Sequence, residues 1–179
     1  PARFHRHPLP VPHFTWCGNW QKQLKKQKLP ANVLNWIKER LENKKQALLF
    51  FPHIRLMEKA LPILRKLAPE IEAVHAEDPD RKEKVQKMRN KEIPLLLTTT
   101  ILERGVTFPN IDVAVVGAED DIFTESALVQ IAGRAGRSKD FPNGVVTFFH
   151  YGKTEAMQKA RKQINTMNHE GERKGLIDG

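Results

Sequence analysis

The chain has 179 residues, a net charge of +9 and a sequence pI near 9.8. That length buries a proper core in one large domain, or in a domain with an arm, and the positive surplus favours an anionic partner such as nucleic acid, although an inert basic surface is about as common a cause. One cysteine, Cys17, excludes a disulfide framework and a multi-cysteine zinc site within this chain, and no apolar run approaches the length of a membrane span.

The opening stretch, PARFHRHPLPVPHF, lacks a methionine and an apolar signal core, and it reads as the cut end of something longer. Residues 1–30 are rich in Pro, His and Lys, and PLPVP disfavours helix, so this part reads as an extended, basic arm or interlobe linker. Trp16 and Trp20 suit base stacking, but packing over a sheet edge is the commoner role for such aromatics. Lys22, Lys25 and Lys26 suit phosphate contact, with a solvated face as the default.

Beyond Asn32, strands and helices alternate. ALLFF (47–51) is a short buried strand, and IRLMEKALPILRKL (54–67) places Ile54, Met57, Leu61 and Leu64 on one helical face. Pro62 inside that pattern predicts a kink or a split. IEAVH (71–75), IPLLLTTT (93–100), IDVAVVGA (111–118) and GVVTFFHY (144–151) read as four more strands. DRKEKVQKMRN (80–90), ESALVQIAG (125–133) and TEAMQKARKQINTMN (154–168) read as helices, and 171–179 as a frayed tail. Continuous apolar strands alternating with amphipathic helices predict an α/β fold, a mostly parallel sheet covered by helices on both faces. Ligands are expected at the carboxyl ends of such strands.

Two stretches ask for more than packing. TTTILERGVTFP (98–109) follows a strand and offers hydroxyls and backbone amides where a ligand backbone would lie, although Thr–Thr runs also occur in plain strands. QIAGRAGR (130–137) ends a helix with two glycines, each followed by an arginine. Glycine is poor in a helix, by about 1 kcal/mol against alanine, but permits close approach of another body. Guanidinium is planar, always charged and suited to phosphate oxygens; the bland alternative is a salt-bridge pair at a helix end.

QIAGRAGR resembles motif VI of the superfamily 2 helicases, TTTILERGVTFP their motif V, and ALLFFPHIR their motif IV, in the family's order over residues 31–150. The wording of LLLTTTILERGVTFPNIDVAVVGAED and FTESALVQIAGRAGRS is similar to the DNA-uptake ATPases of bacterial competence, with the replication-restart helicases somewhat further off. The resemblance implies a second RecA-like lobe over residues 31–170, paired with a first lobe that brings the phosphate loop and magnesium site. ATP and Mg2+ would then be shared between lobes. It implies that Arg134 and Arg137 are arginine fingers, that Gln130 orients near them, and that Gly133, Gly136, Gly105 and Thr107 border the nucleotide. Thr107 stands where many relatives carry a ribose-contacting aspartate. Thr99 and Thr100 would hold the nucleic-acid backbone, and His53 and Arg55 its phosphates. The implied partners are single-stranded DNA, the first lobe and other competence proteins, and the implied location is cytoplasmic, with partners able to hold the protein at the inner face of the membrane.

YGKTEA (151–156) imitates the end of a phosphate loop, but Thr147 occupies the first glycine's place. The acidic run Glu119-Asp120-Asp121 reads as a solvated loop rather than a magnesium site. No metal ligands are expected here, and the family's four-cysteine zinc site is expected only in the missing N-terminal part. The chain alone is therefore expected not to hydrolyse ATP. A docking module without nucleotide chemistry, or a lobe of a replication-restart or RNA helicase, remains the alternative reading.

Overall fold

The computed structural model describes residues 9–99, 108–136 and 144–173. Among them the order is β1 (His13–Trp16), α1 (Trp20–Lys25), α2 (Ala31–Glu42), β2 (Ala47–Phe50), α3 (Ile54–Arg65), β3 (Glu72–Ala73), α4 (Arg81–Arg89), β4 (Leu95–Thr98), β5 (Asp112–Val116), α5 (Glu125–Ala132), β6 (Val146–His150) and α6 (Glu155–Arg173). The strands form one six-stranded sheet in the order β1-β6-β5-β2-β4-β3. Every pairing is parallel. All strand exits therefore lie along one edge, the carboxyl edge, and all entries along the other, the amino edge.

Strand side chains alternate between the two faces. Leu48, Leu96, Val113, Val115 and Phe148 pack on one face with Val85 of α4, Leu128 of α5 and Met157 of α6. Ala47, Leu49, Leu97, Ala114 and Phe149 pack on the other with Trp20 of α1, Ile37 of α2 and Met57 of α3. Two cores, one per face, explain why the strands are apolar throughout rather than alternating with polar residues.

The first thirty residues, read as an extended arm or linker, supply the edge strand β1, which pairs with β6 from His13–Thr147 to Trp16–His150, and the helix α1. Trp20 is buried, and its indole presses on Gly117, where a Cβ would lie 2.2 Å from Trp20 Cζ2. Gly117 also has φ of +81°, a conformation open to glycine.

Helix α3 is not split by Pro62. Proline removes the bond to the Glu58 carbonyl, but both residues are exposed and water can meet that carbonyl. Its buried face is Leu56, Met57, Ala60 and Leu64. Ile54, expected on that face, stands 37% exposed because the helix starts beyond the sheet's carboxyl edge. Helix α6 continues to Arg173 with Gly171 buried, so residues 171–173 are helical rather than frayed. The rest of the tail lies outside the described residues.

Candidate functional site

The expected site residues that are described divide between the two edges of the sheet. Helix α5 starts at the carboxyl edge, where Thr124 Oγ1 accepts the Ala127 amide at 3.1 Å, and runs back along the sheet. Its last turn and the turn 133–136 reach the amino edge. There the Gly136 amide donates to the Ile111 carbonyl, one residue before β5, at 3.0 Å. Gly133 caps the helix by donating to the Val129 carbonyl at 3.0 Å, with ordinary helical dihedrals. Gly136 has φ of +53°. Gln130 is exposed in the last turn and Arg134 half-buried in the turn. Arg137, Thr100, Gly105 and Thr107 lie outside the described residues.

The chain entering β6 crosses directly over this turn. A Cβ at Gly144 would lie 2.5 Å from the Gly136 nitrogen and 2.8 Å from the Ala135 carbonyl carbon. Backbone touches backbone here, and that contact requires a bare glycine. The same entry is held by Asp112, the first residue of β5. Its Oδ1 accepts the Val145 amide at 2.9 Å, and its Oδ2 accepts Arg40 Nε at 3.1 Å. Arg40 stacks over the Trp36 ring at 4.0 Å. With side chains 12% and 7% exposed, Arg40 and Asp112 form a buried ion pair that fixes the strand next to motif VI. Lys45 reaches Asn110 beside it. Asp112 was not expected as a site residue; the signal was a lone acid opening an otherwise apolar strand.

At the carboxyl edge, β4 ends at Thr98 and Thr99 follows it, both buried. The Thr98 carbonyl accepts the Phe51 amide at 2.9 Å. The Thr99 hydroxyl is buried and has no hydrogen-bond partner among the described residues. His53 stands at the N-cap position of α3, and its Nε2 is 3.2 Å from Asp120 Oδ2 across the neighbouring strand exit. Arg55 is exposed in the first turn of α3. The acidic run is less solvated than its composition implies. Glu119 accepts the Trp20 indole N–H at 2.9 Å on one oxygen and the Tyr151 amide at 2.8 Å on the other. It ties α1, β5 and β6 together.

His150 ends β6. Burial holds its imidazole below the ordinary histidine value, the charge of Glu119 pulls upward, and Lys153 adds to the depression. The neutral ring suits its contact, because Nδ1 accepts the Gly152 amide at 2.9 Å. Burial, then the Glu119 charge, push the Cys17 thiol up to about 12, so it remains protonated and packs as a small apolar group. YGKTEA forms a turn and a helix start: Gly152 has φ of +136°, and Thr154 Oγ1 accepts the Met157 amide at 3.2 Å. No helix among the described residues is long and apolar enough to cross a membrane.

The helicase conserved C-terminal domain matches residues 25–139. The chain belongs to that family. It is 52% identical over 168 residues to the competence protein ComFA of Bacillus subtilis (strain 168), across 94% of this chain and 36% of that protein. It is 41% identical over 172 residues to ComFA of Streptococcus pneumoniae (strain ATCC BAA-255 / R6), across 95% of this chain and 40% of that protein. The chain spans well under half the length of these relatives. Its fold is similar to that of S. cerevisiae Dbp5 bound to RNA and ADP BeF3, with a TM-score of 0.61 and 16% identity over 93% of this chain and 41% of that chain. The superfamily 2 resemblance read from the three motifs, and the RecA-like parallel sheet it implied, both hold.

Proposed function

We propose that this chain is the second lobe of an ATP-driven motor that moves along single-stranded DNA during DNA uptake. The observation that carries the reading is the separation of the two motif sets on one rigid sheet. Among the described residues, Gly133–Gly136 of motif VI turn at the amino edge, while His53 and Arg55 of motif IV and Thr98 and Thr99, which open motif V, stand at the carboxyl edge. One strand, Asp112–Val116, spans the interval, roughly 16 Å at 3.3 Å per residue. Nucleotide and nucleic acid can then be held at once without competing for space.

Arg134, in the turn at the amino edge, and Arg137 act as fingers on a nucleotide whose phosphates and Mg2+ are held by another lobe. A guanidinium there stabilises charge that develops as the phosphoryl group transfers. The Gly144–Gly136 contact fixes the backbone of the turn that carries Arg134. At the carboxyl edge, Thr99 carries a buried hydroxyl with no partner among the described residues, and a phosphate oxygen that reached it would supply one. His53 and Arg55 add donors on the adjacent strand exit. Phosphate contacts accept any sequence, as uptake of foreign DNA requires. Identity of 52% to a competence protein supports that process, with other competence proteins as partners at the inner membrane face.

The test compares full-length protein with the 179-residue chain. The full-length protein is expected to hydrolyse ATP faster with single strands of unrelated sequence, and the isolated chain to show no hydrolysis above background. Robust hydrolysis by the isolated chain, or a full-length protein indifferent to DNA, overturns the reading.

A further inference from the structure

We infer that Trp16 and Tyr151 form a base-stacking platform that extends the single-strand track beyond motifs IV and V, an inference that rests on the translocase reading above. Six large apolar side chains are exposed among the described residues, and four of them, Trp16, Ile54, Ile122 and Tyr151, stand at strand exits or the loops beyond. Trp16 ends β1 with 63% of its surface exposed, and Tyr151 follows β6 with 51% exposed. Their ring centroids are 6.3 Å apart, tilted by 50°. A splayed pair of this kind presents two aromatic faces rather than burying one against the other.

The platform is held in place from beneath. The Asn32 amide group donates to the Trp16 carbonyl at 2.8 Å, and the Tyr151 amide donates to Glu119. Gly18, at φ of +73°, lies under the Trp16 ring, where a Cβ would come within 3.3 Å of Cη2. Pre-organisation of this kind limits the entropy lost on binding.

Charge selects the occupant. The hollow beside Tyr151 is lined by Lys22 and Lys25 of α1 together with Asn19 and Gln21, and neither lysine has a carboxylate partner among the described residues. The one acid there, Glu119, has both oxygens engaged. Exposed aromatics beside unpaired cations suit unpaired bases on a phosphate backbone. The platform lies on the edge that carries Thr99 and His53, away from the motif VI turn, so it faces the strand rather than the nucleotide. Trp20, only four residues later, is 1% exposed and plays no part.

The experiment uses full-length protein and follows tryptophan emission while oligothymidylate is added. Trp16 is the exposed indole among the three of this chain, since Trp20 and Trp36 are 1% and 8% exposed, so the part of the quenching that disappears in Trp16→Ala reports on it. Trp16→Ala and Tyr151→Ala are expected to weaken binding roughly five- to a hundred-fold each, the range stacked bases show, and Trp16→Phe to restore most of it. Binding is followed by anisotropy of a labelled strand where the indole is absent. On an abasic strand of equal length, parent and Trp16→Ala are expected to bind alike. Equal oligothymidylate binding by parent and Trp16→Ala overturns the platform and leaves the translocase reading standing. An equal loss on the abasic strand, or loss of a protein partner with strand binding intact, also overturns it. A parent protein that binds no single strand at all sinks the translocase reading and the platform with it.

Discussion

The two edges of the sheet are built on different principles. At the amino edge, backbone rests on backbone at Gly136 and Gly144, and a buried Arg40–Asp112 pair pins the adjoining strand. At the carboxyl edge, exposed polar groups, a buried threonine hydroxyl without a partner among the described residues and two open aromatic rings gather at separate strand exits. The proposed role of the amino edge, placing a guanidinium against a developing charge, needs fixed geometry, and rigidity supplies it. The proposed role of the carboxyl edge, releasing and regripping an irregular strand, needs many weak, adaptable contacts. The parallel sheet makes both possible, because every strand leaves by one edge and every helix returns the chain to the other.

The largest expected effect breaks one edge alone. In full-length protein, Arg137→Ala is expected to lower DNA-stimulated ATP hydrolysis about 10³-fold, the scale of a lost arginine finger, with strand affinity nearly intact. Steady-state hydrolysis alongside strand-binding anisotropy measures both quantities. An equal loss of strand affinity would show that the edges are not independent.

Gly144→Ala probes the same edge through its scaffold. The added methyl meets the Gly136 nitrogen at 2.5 Å, so the turn must move. A displacement near 1 Å is expected to reduce the hydrolysis rate on the order of 10²-fold. The fold itself is expected to survive, as far-ultraviolet circular dichroism would show. Wild-type turnover in this variant would mean that the turn tolerates a shift and that rigidity there is incidental.

At the other edge, Thr99→Val keeps the strand shape and deletes the unmet hydroxyl. Strand affinity is expected to fall roughly ten-fold, the scale of one hydrogen bond to a charged group. Thermal stability is expected to rise slightly, since a buried donor without a partner disappears. Basal hydrolysis is expected to remain unchanged. Full strand affinity in the variant would place the grip elsewhere, with Lys22, Lys25 and Lys26 as the next residues to replace.

Legibility from sequence followed the length and apolarity of each element. The runs ALLF, LLLT, DVAVV and VTFFH are buried at every position and were plain. β1 was hidden because HFTW is short, lies at an edge beside prolines and buries neither end residue. The helix α2 was legible in principle, since Val33, Trp36 and Ile37 lie on one face behind Pro30, but no chemistry drew attention to it. Motif VI announced itself through glycine and arginine spacing; its place at the amino edge did not, because only the return path of α5 decides that. Glu119 was misleading for a similar reason. Three acids in a row look solvated, and nothing local reveals that the Trp20 indole, 99 residues away in sequence, needs an acceptor. Composition likewise treats Trp16 and Trp20 as equals, while Gly117 admits only Trp20 to the core.

The smallest expected effect concerns pH and bears on the carboxyl edge. His150 is buried, and its Nδ1 must stay unprotonated to accept the Gly152 amide. Its folded-state value is depressed from 6.5, while the unfolded chain titrates near 6.5. The unfolded state therefore binds the proton more readily, and stability must fall as protons are added. The contribution of neutral His150 is complete above about pH 6.5 and is lost as pH drops through the folded value. Melting temperature is expected to decline on acidification from about pH 7.5 to about pH 5.5, and His150→Asn, whose amide oxygen can take the Gly152 bond, is expected to flatten the decline. The Gly152 turn directly follows Tyr151, so hydrogen exchange at residues 151–153 is expected to quicken over the same interval while the Gly136 amide, bonded to Ile111, stays protected. Uniform quickening at both places would mean that acid loosens the sheet as a whole, and that the two edges share one stability after all.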